Sequence, residues 1–168
     1  MLIKKIFFAV AVVALCASGV FAQEQKGKDV YVSPDAPKDK PKTVTEDVAR
    51  KFDEAIKPYI EKARKTYPDA RKRFLDGLPP KHSFFVTTRL RDERGRFEQV
   101  FVAVKEIKDG RIKGLIWSDI EVVSGYKKGD SYSFPESELL DWTITNPDGA
   151  EEGNFVGKFL DTYNPDQN

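Results

Sequence analysis

Three carboxylates lie where acid/base chemistry would be expected in the predicted sheet. Glu98 opens a predicted strand, Asp130 completes a Gly-Asp turn, and Asp141 belongs to the last predicted strand. General acid/base catalysis needs two carboxylates in different environments about one substrate width apart, so these three are the catalytic candidates. In the structural alternative, Asp130 serves its turn, Asp141 binds nearby backbone amides, and Glu98 meets an arginine across a hairpin. Turn chemistry favours that alternative.

Other catalytic and metal chemistry has little support in the sequence. His82 is the single histidine, and no serine lies in a Gly-x-Ser-x-Gly pattern, so a Ser-His-Asp triad is not indicated. Residues 146–152 offer oxygen ligands near a glycine but lack the alternating ligands of an EF-hand, which leaves an ordinary acidic turn as the simpler interpretation. We predict no metal site and no cofactor.

Aromatic residues supply the binding candidates. Trp117, Trp142 and Tyr126 could line a groove for a peptide or a glycan, because aromatic side chains dominate interface energetics. Most aromatic residues of a small domain belong to its core. A binding surface therefore becomes the leading functional hypothesis only if some of these side chains prove exposed.

The first element that must position these residues is a helix. Over residues 44–67, apolar residues recur at spacings of three and four, which predicts one face of an amphipathic helix. Pro58 lies inside this pattern and removes a backbone donor, so we expect a kink or a break near Ile56. Pro68 then starts a second, short helix over residues 69–76.

After the helical region, the hydrophobic period changes to that of β-strands. We predict about five antiparallel strands, over residues 83–90, 97–107, 111–118, 131–134 and 139–145. Asp109-Gly110 has the composition of a tight hairpin turn with positive φ. Residues 155–163 form either a helix turn or an edge strand. The predicted fold class is α+β: an N-terminal helix or kinked helix pair packed on an antiparallel sheet, with curling toward a small barrel left open.

The N-terminus has the features of a secretory signal peptide. Two lysines precede an apolar run of about ten residues, and Val20 and Ala22 are the small residues that signal peptidase reads. That run is too short for a membrane span, which needs about 20 residues. We therefore predict a signal peptide over 1–22, a disordered linker over 23–43 and a single domain over 44–168, in a periplasmic or secreted protein. The alternatives are an uncleaved anchor and a lipoprotein modified at Cys16.

Composition excludes several classes of function. The chain has 28 lysines and arginines against 27 aspartates and glutamates, and only two of the basic residues lie in the leader. A nucleic-acid binder would show a strong basic excess, so no nucleic-acid partner is predicted. Cys16 is the single cysteine and lies in the leader, so the mature chain has no disulfide and no thiol chemistry. No membrane association is predicted after cleavage.

An ordered set of landmarks carries a family resemblance over residues 55–163. They are Ala63-Arg64 leading to Phe74, Glu98, Gly114, Gly129-Asp130, Leu139 with Asp141-Trp142, and Gly153-Asn154-Phe155. In this order they resemble the YegJ-like bacterial domain of unknown function, a group of exported or toxin-associated proteins. The resemblance implies secretion and a helix packed on an antiparallel sheet. It implies no substrate, because the family has no established activity.

These observations lead to two functional hypotheses, with a purely structural envelope protein as a third possibility. The first is an exported, non-enzymatic interaction module with a protein partner in the cell envelope, which in its most specific form antagonises a toxin or an envelope enzyme. The alternative is a small carboxylate-dependent periplasmic hydrolase. A hydrolase should bring its carboxylates together in one open cleft, whereas a binding module should expose an apolar patch instead.

Overall fold

The computed structural model describes residues 31–32 and 46–163 of the chain. The predicted leader and most of the predicted linker lie outside these residues, so both stay predictions. Tyr31 and Val32 are the described part of the linker: the Tyr31 carbonyl accepts a hydrogen bond from Ser83, and Val32 packs on the sheet. No helix among the described residues is long and apolar enough to cross a membrane.

Helix α1 runs without interruption over Glu46–Asp76 and contains both Pro58 and Pro68. The predicted break near Ile56 and the separate second helix are therefore wrong. One buried stripe extends past both prolines; it comprises Ile56, Ala63, Tyr67 and Ala70. Packing of this stripe stabilises the helix across the two missing backbone donors, since most helical stability in proteins comes from the buried face.

The six strands form one antiparallel sheet. Their bounds are β1 Ser83–Arg91, β2 Phe97–Lys108, β3 Arg111–Ile116, β4 Ser131–Pro135, β5 Asp141–Thr145 and β6 Glu151–Gly153. The strand order is β4-β3-β2-β1-β5-β6, and β4 does not pair with β6, so the sheet is open and the barrel alternative is wrong. Residues Phe155–Leu160 form the short helix α2, which decides between the two predictions for that segment.

The main core lies between the sheet and helix α1. Trp142 of β5 donates from Nε1 to the Ala63 carbonyl at 3.1 Å, and the ring of Phe74 stacks on that of Phe84 at 5.2 Å. Because side chains alternate along a strand, the other face of the sheet carries a different set of residues. There, Phe85 and Ala103 form a smaller buried cluster. We call this side, which faces away from α1, the second face.

The connection from β4 to β5 crosses the helix side of the sheet. It includes a short 3-10 turn over Glu136–Glu138. Glu136 accepts hydrogen bonds from Tyr67 and Arg71 of α1, both at 2.8 Å. Arg64 of α1 donates from Nε to the Leu139 carbonyl at 3.0 Å. Helix α1 therefore holds this crossing segment in place with side-chain hydrogen bonds.

Candidate functional site

Glu98 is engaged by the backbone of a loop. Its carboxylate accepts hydrogen bonds from the N–H groups of Glu121, Val122 and Val123, at 2.9 to 3.3 Å. An arginine across the hairpin was predicted as its partner, and that prediction is wrong, because the loop between β3 and β4 folds back over the start of β2. Glu98 thus anchors this loop.

Asp130 and Asp141 are also bound locally. Asp130 accepts a hydrogen bond from the Lys127 N–H at 3.0 Å and completes its turn, as the structural alternative predicts. Asp141 is only 1% exposed and accepts from the N–H groups of Trp142 at 2.8 Å and Val156 at 2.6 Å. Burial raises the pKa of Asp141 to about 7, against the opposing effect of these hydrogen bonds.

The structure does not bring the three carboxylates together. Asp141 pairs with Thr87 of β1, and Thr87 pairs with Phe101 of β2, three residues from Glu98. With about 4.8 Å between strands and about 3.4 Å per residue, the Cα atoms of Asp141 and Glu98 lie roughly 14 Å apart. The three carboxylates share no hydrogen-bond partner in the described part of the chain. Their geometry is that of separate structural contacts.

The sequence analysis missed a fourth structural carboxylate, Asp92. Its side chain is 2% exposed and accepts hydrogen bonds from the backbone N–H groups of Arg94, Arg96 and Ser124. Burial by itself would raise the pKa of Asp92, but hydrogen bonds from Arg96 and these backbone groups outweigh it and lower the pKa to about 2. An aspartate three residues before Gly95 is typical of such a turn, so this contact could have been predicted.

The histidine and the acidic turn take structural positions. Nδ1 of His82 lies 3.1 Å from the Pro80 carbonyl oxygen. Residues 146–150 of the predicted acidic turn connect β5 to β6, and Asp148 there accepts a hydrogen bond from the Ala150 N–H; Glu151 and Glu152 belong to β6. Within the described ranges, no group of three or more His, Cys, Asp or Glu residues could hold a metal ion.

The three aromatic candidates lie in different environments. Trp142 is buried in the main core and donates to Ala63 and Thr66. Tyr126 packs against the same core and donates its hydroxyl to the Arg91 carbonyl at 3.4 Å. Trp117 alone lies on the second face, half-buried, where it packs against the Phe85 cluster. Only Trp117 among the three is placed to take part in a surface site.

Two cations cover the most exposed aromatic ring of the sheet. Phe97 is 37% exposed, and the guanidinium carbons of Arg89 and Arg91 lie 4.8 and 5.4 Å from its ring centroid. Phe101, on the same side of β2, is half-buried beside Trp117. We call these five residues the cationic aromatic surface. No sequence pattern indicated this surface, because Phe97 is one more apolar residue of a predicted strand.

Lysines extend the positive charge of this region. Lys128 lies 5.5 Å from the ring centroid of Trp117, and Lys113 of β3 is exposed on the second face. Cations placed over aromatic rings are stabilised by the ring quadrupole and remain available to an anionic partner. The surface therefore combines the two residue classes, arginine and aromatic, that are enriched in binding hot spots.

Comparison with known proteins places the chain in a family without assigning an activity. No curated protein and no solved structure matches it. One family model matches residues 53–164, which include every strand, helix α2 and most of helix α1. The chain therefore belongs to the family described as an uncharacterised protein conserved in bacteria (DUF2314).

Proposed function

We propose that this protein is an exported, non-enzymatic interaction module, and that the cationic aromatic surface is where it binds a partner protein. The observation that carries the proposal is the pair of guanidinium groups over the exposed ring of Phe97. The aromatic ring provides apolar surface, and the two guanidinium groups beside it provide positive charge. Binding hot spots are enriched in both aromatic residues and arginine.

The charge of this surface indicates an acidic partner. Arg89 and Arg91 lie over the ring of Phe97, and Lys128 lies over that of Trp117. Among the described residues, Lys128 has an ion-pair partner in Asp119 and Arg89 has one in Asp53. Electrostatic complementarity favours a partner that presents carboxylates around an apolar contact, since like charges across an interface are strongly disfavoured. We therefore assign the site to an acidic segment of another protein.

The hydrolase alternative has less support. The pKa of Asp141 near 7 would suit a general acid or base, but the side chain is 1% exposed and both its oxygens accept backbone hydrogen bonds. Glu98 is similarly occupied by its loop. In the described part of the chain, these two carboxylates bind separate backbone groups and share no hydrogen-bond partner.

The more specific parts of the proposal rest on the sequence. The location in the periplasm or outside the cell follows from the predicted leader. A YegJ-like identity, and with it the antagonism of a toxin or an envelope enzyme, follows from the resemblance described above. Both belong to the proposal and are tested with it.

Site-specific photocrosslinking in the native host tests this function. A photoreactive amino acid replaces Gln99, which lies between Phe97 and Phe101 on the second face, and in a control protein it replaces Leu75, which is 49% exposed on helix α1. We expect one adduct of defined mass from position 99, through an acidic peptide of the partner, and none from position 75.

Replacement of the aromatic ring provides the second arm of this test. Phe97→Ala should reduce the adduct at position 99 about tenfold or more, because truncation of a hot-spot residue costs about 2 kcal/mol or more. The control Leu75→Ala should leave it unchanged. Equal adducts from positions 99 and 75, or an adduct insensitive to Phe97→Ala, would contradict the proposal.

A further inference from the structure

An open cleft beside the end of β1 has a cationic lining. Its volume is about 410 Å³, and its wall includes Arg64, Arg89, Arg91, Thr88, Tyr132 and Glu138. Three arginines thus face one glutamate. This volume lies within the range of small-molecule sites, about 300 to 1,000 Å³.

The cleft exists because β1 is longer than its neighbour β5. Pairing between the two strands ends at Thr87, so the last residues of β1, up to Arg91, have no strand partner on that side in the described part of the chain. The crossing segment passes over this edge, where the Glu138 carbonyl accepts a hydrogen bond from Thr88 at 3.1 Å. Arg64 is held against the same segment by the carbonyls of Leu139 and Ser137.

Two arginines near this cleft have guanidinium N–H groups without an acceptor among the described residues. Arg89 pairs with Asp53 through Nη2, but its Nε is buried and has no hydrogen-bond partner in the described structure. Arg91 is exposed, and its guanidinium contacts the ring of Phe97 without a hydrogen bond or ion pair to any described residue. Buried N–H groups of native proteins nearly always have an acceptor, so the Nε of Arg89 is an unsatisfied donor next to the cleft, although it is not itself exposed in the lining.

We propose that this cleft binds a small oxyanion, a carboxylate or a phosphate group, through Arg89 and Arg91. Guanidinium groups stay charged at all physiological pH values, and their planar fork matches the oxygens of carboxylates and phosphates. Arg64, Arg89 and Arg91 carry three positive charges, and the neighbouring carboxylates Glu138 and Asp53 carry two negative ones. The net charge of these five groups is therefore +1. The inference goes beyond the proposed protein binding and does not depend on it.

Nuclear magnetic resonance titration of the purified protein tests the proposal, with inorganic phosphate and succinate as separate probes. The Hε–Nε resonance of Arg89 should shift and saturate with at least one probe, and the stronger probe identifies the class of oxyanion. The Nε of Arg96, which already donates to Asp92, is the internal reference and should not move.

Three variants locate the binding. Arg91→Gln should weaken it about tenfold, the effect of losing one charge-assisted hydrogen bond. Glu138→Gln should tighten it, because it removes the carboxylate that competes for the arginines. Arg94→Gln makes the same charge change as Arg91→Gln in the neighbouring hairpin turn and should have less than a twofold effect. Thermal unfolding of each variant confirms that it is folded.

Two results would overturn this inference. One is the lack of a saturating shift of Arg89 with either probe at millimolar concentration. The other is equal weakening by Arg91→Gln and Arg94→Gln, which would indicate general attraction to a positive surface rather than a site.

Discussion

Asp141 is a carboxylate buried at the start of β5. Its carboxyl joins the edge of β5 to the start of α2 through the N–H groups of Trp142 and Val156. Burial raises the pKa of this group to about 7, so near neutral pH the folded protein holds a proton that the unfolded chain releases near pH 4. The free energy of unfolding must then fall as the pH rises from 4 to 7.

We expect Asp141→Asn to remove this pH dependence. Between pH 5 and pH 8, the stability of the wild type should fall relative to the variant by roughly 2 to 3 kcal/mol, since each pKa unit corresponds to about 1.4 kcal/mol. Urea unfolding at the two pH values measures the difference. Asp148→Asn, in the turn between β5 and β6, is the control and should keep the wild-type slope. A constant difference between wild type and Asp141→Asn would show that Asp141 does not titrate in this range.

At the residue scale, sequence reasoning succeeded where contacts are local. The role of Asp130 in its Gly-Asp turn follows from neighbours three residues away. The partners of Glu98 lie 23 to 25 residues away, in a loop whose path no local pattern reveals. The exposure of Phe97 could not be predicted either, because it depends on which of the described elements pack over the sheet.

Helix α1 is the element that sequence rules described least well. Each internal proline removes one backbone hydrogen bond and crowds the preceding turn, which costs an isolated helix about 3 kcal/mol. The helix nevertheless spans Glu46–Asp76, because tertiary contacts hold it on both sides of Pro58: Phe52 packs against Tyr163 before the proline, and Ala63 accepts a hydrogen bond from Trp142 after it. Tertiary packing has overridden a local preference.

Pro58→Ala should therefore stabilise the protein. Pro58 is exposed, and alanine restores the missing donor while keeping the helical backbone, so we expect the free energy of unfolding to rise by about 1 to 3 kcal/mol. Urea unfolding measures this change. The neighbouring variant Lys57→Ala, also exposed, should change stability by no more than about 0.5 kcal/mol. A loss of stability in Pro58→Ala would mean that the proline ring makes contacts worth more than the backbone bond.

Among the strands, a hairpin turn set by local sequence was predicted, whereas a strand that depends on distant contacts was not. Asp109 and Gly110 both have positive φ, at 50° and 71°, which confirms the predicted hairpin between β2 and β3. Strand β6 was not predicted, because its three residues, Glu151–Gly153, are polar and carry no alternating pattern. It exists because the turn after β5 returns the chain alongside that strand.

At the scale of the whole molecule, the sheet has two different surfaces. One is covered by α1, α2 and the crossing segment and contains the main core. The other carries the Phe85 cluster and, beside it, the cationic aromatic surface. Arg89 and Arg91 lie at the C-terminal end of β1, which pairs with β2 but not with β5. Both side chains line the cleft and contact the ring of Phe97. The proposed binding functions meet at this end of the molecule.

Export depends on the predicted leader, so it is tested with the full-length chain. After cell fractionation, mass spectrometry of the envelope fraction should find the protein starting at Gln23. Replacement of Ala22 by tyrosine should block processing, because the peptidase accepts only small residues there. Cys16→Ser should leave processing unchanged, and this variant separates ordinary cleavage from lipidation. Recovery of the wild type from the cytosol with Met1 attached would contradict export.

The sequence by itself determined the main elements, a helical region followed by five strands, and their order. A period near 3.6 and then a period of 2 specify a helix followed by strands, and these patterns follow from the geometry of single segments. Only the tertiary structure decided the continuity of α1, the position of β6, the separation of the carboxylates and the exposure of Phe97. These depend on contacts such as that between Trp142 and Ala63, 79 residues apart, which no local pattern encodes.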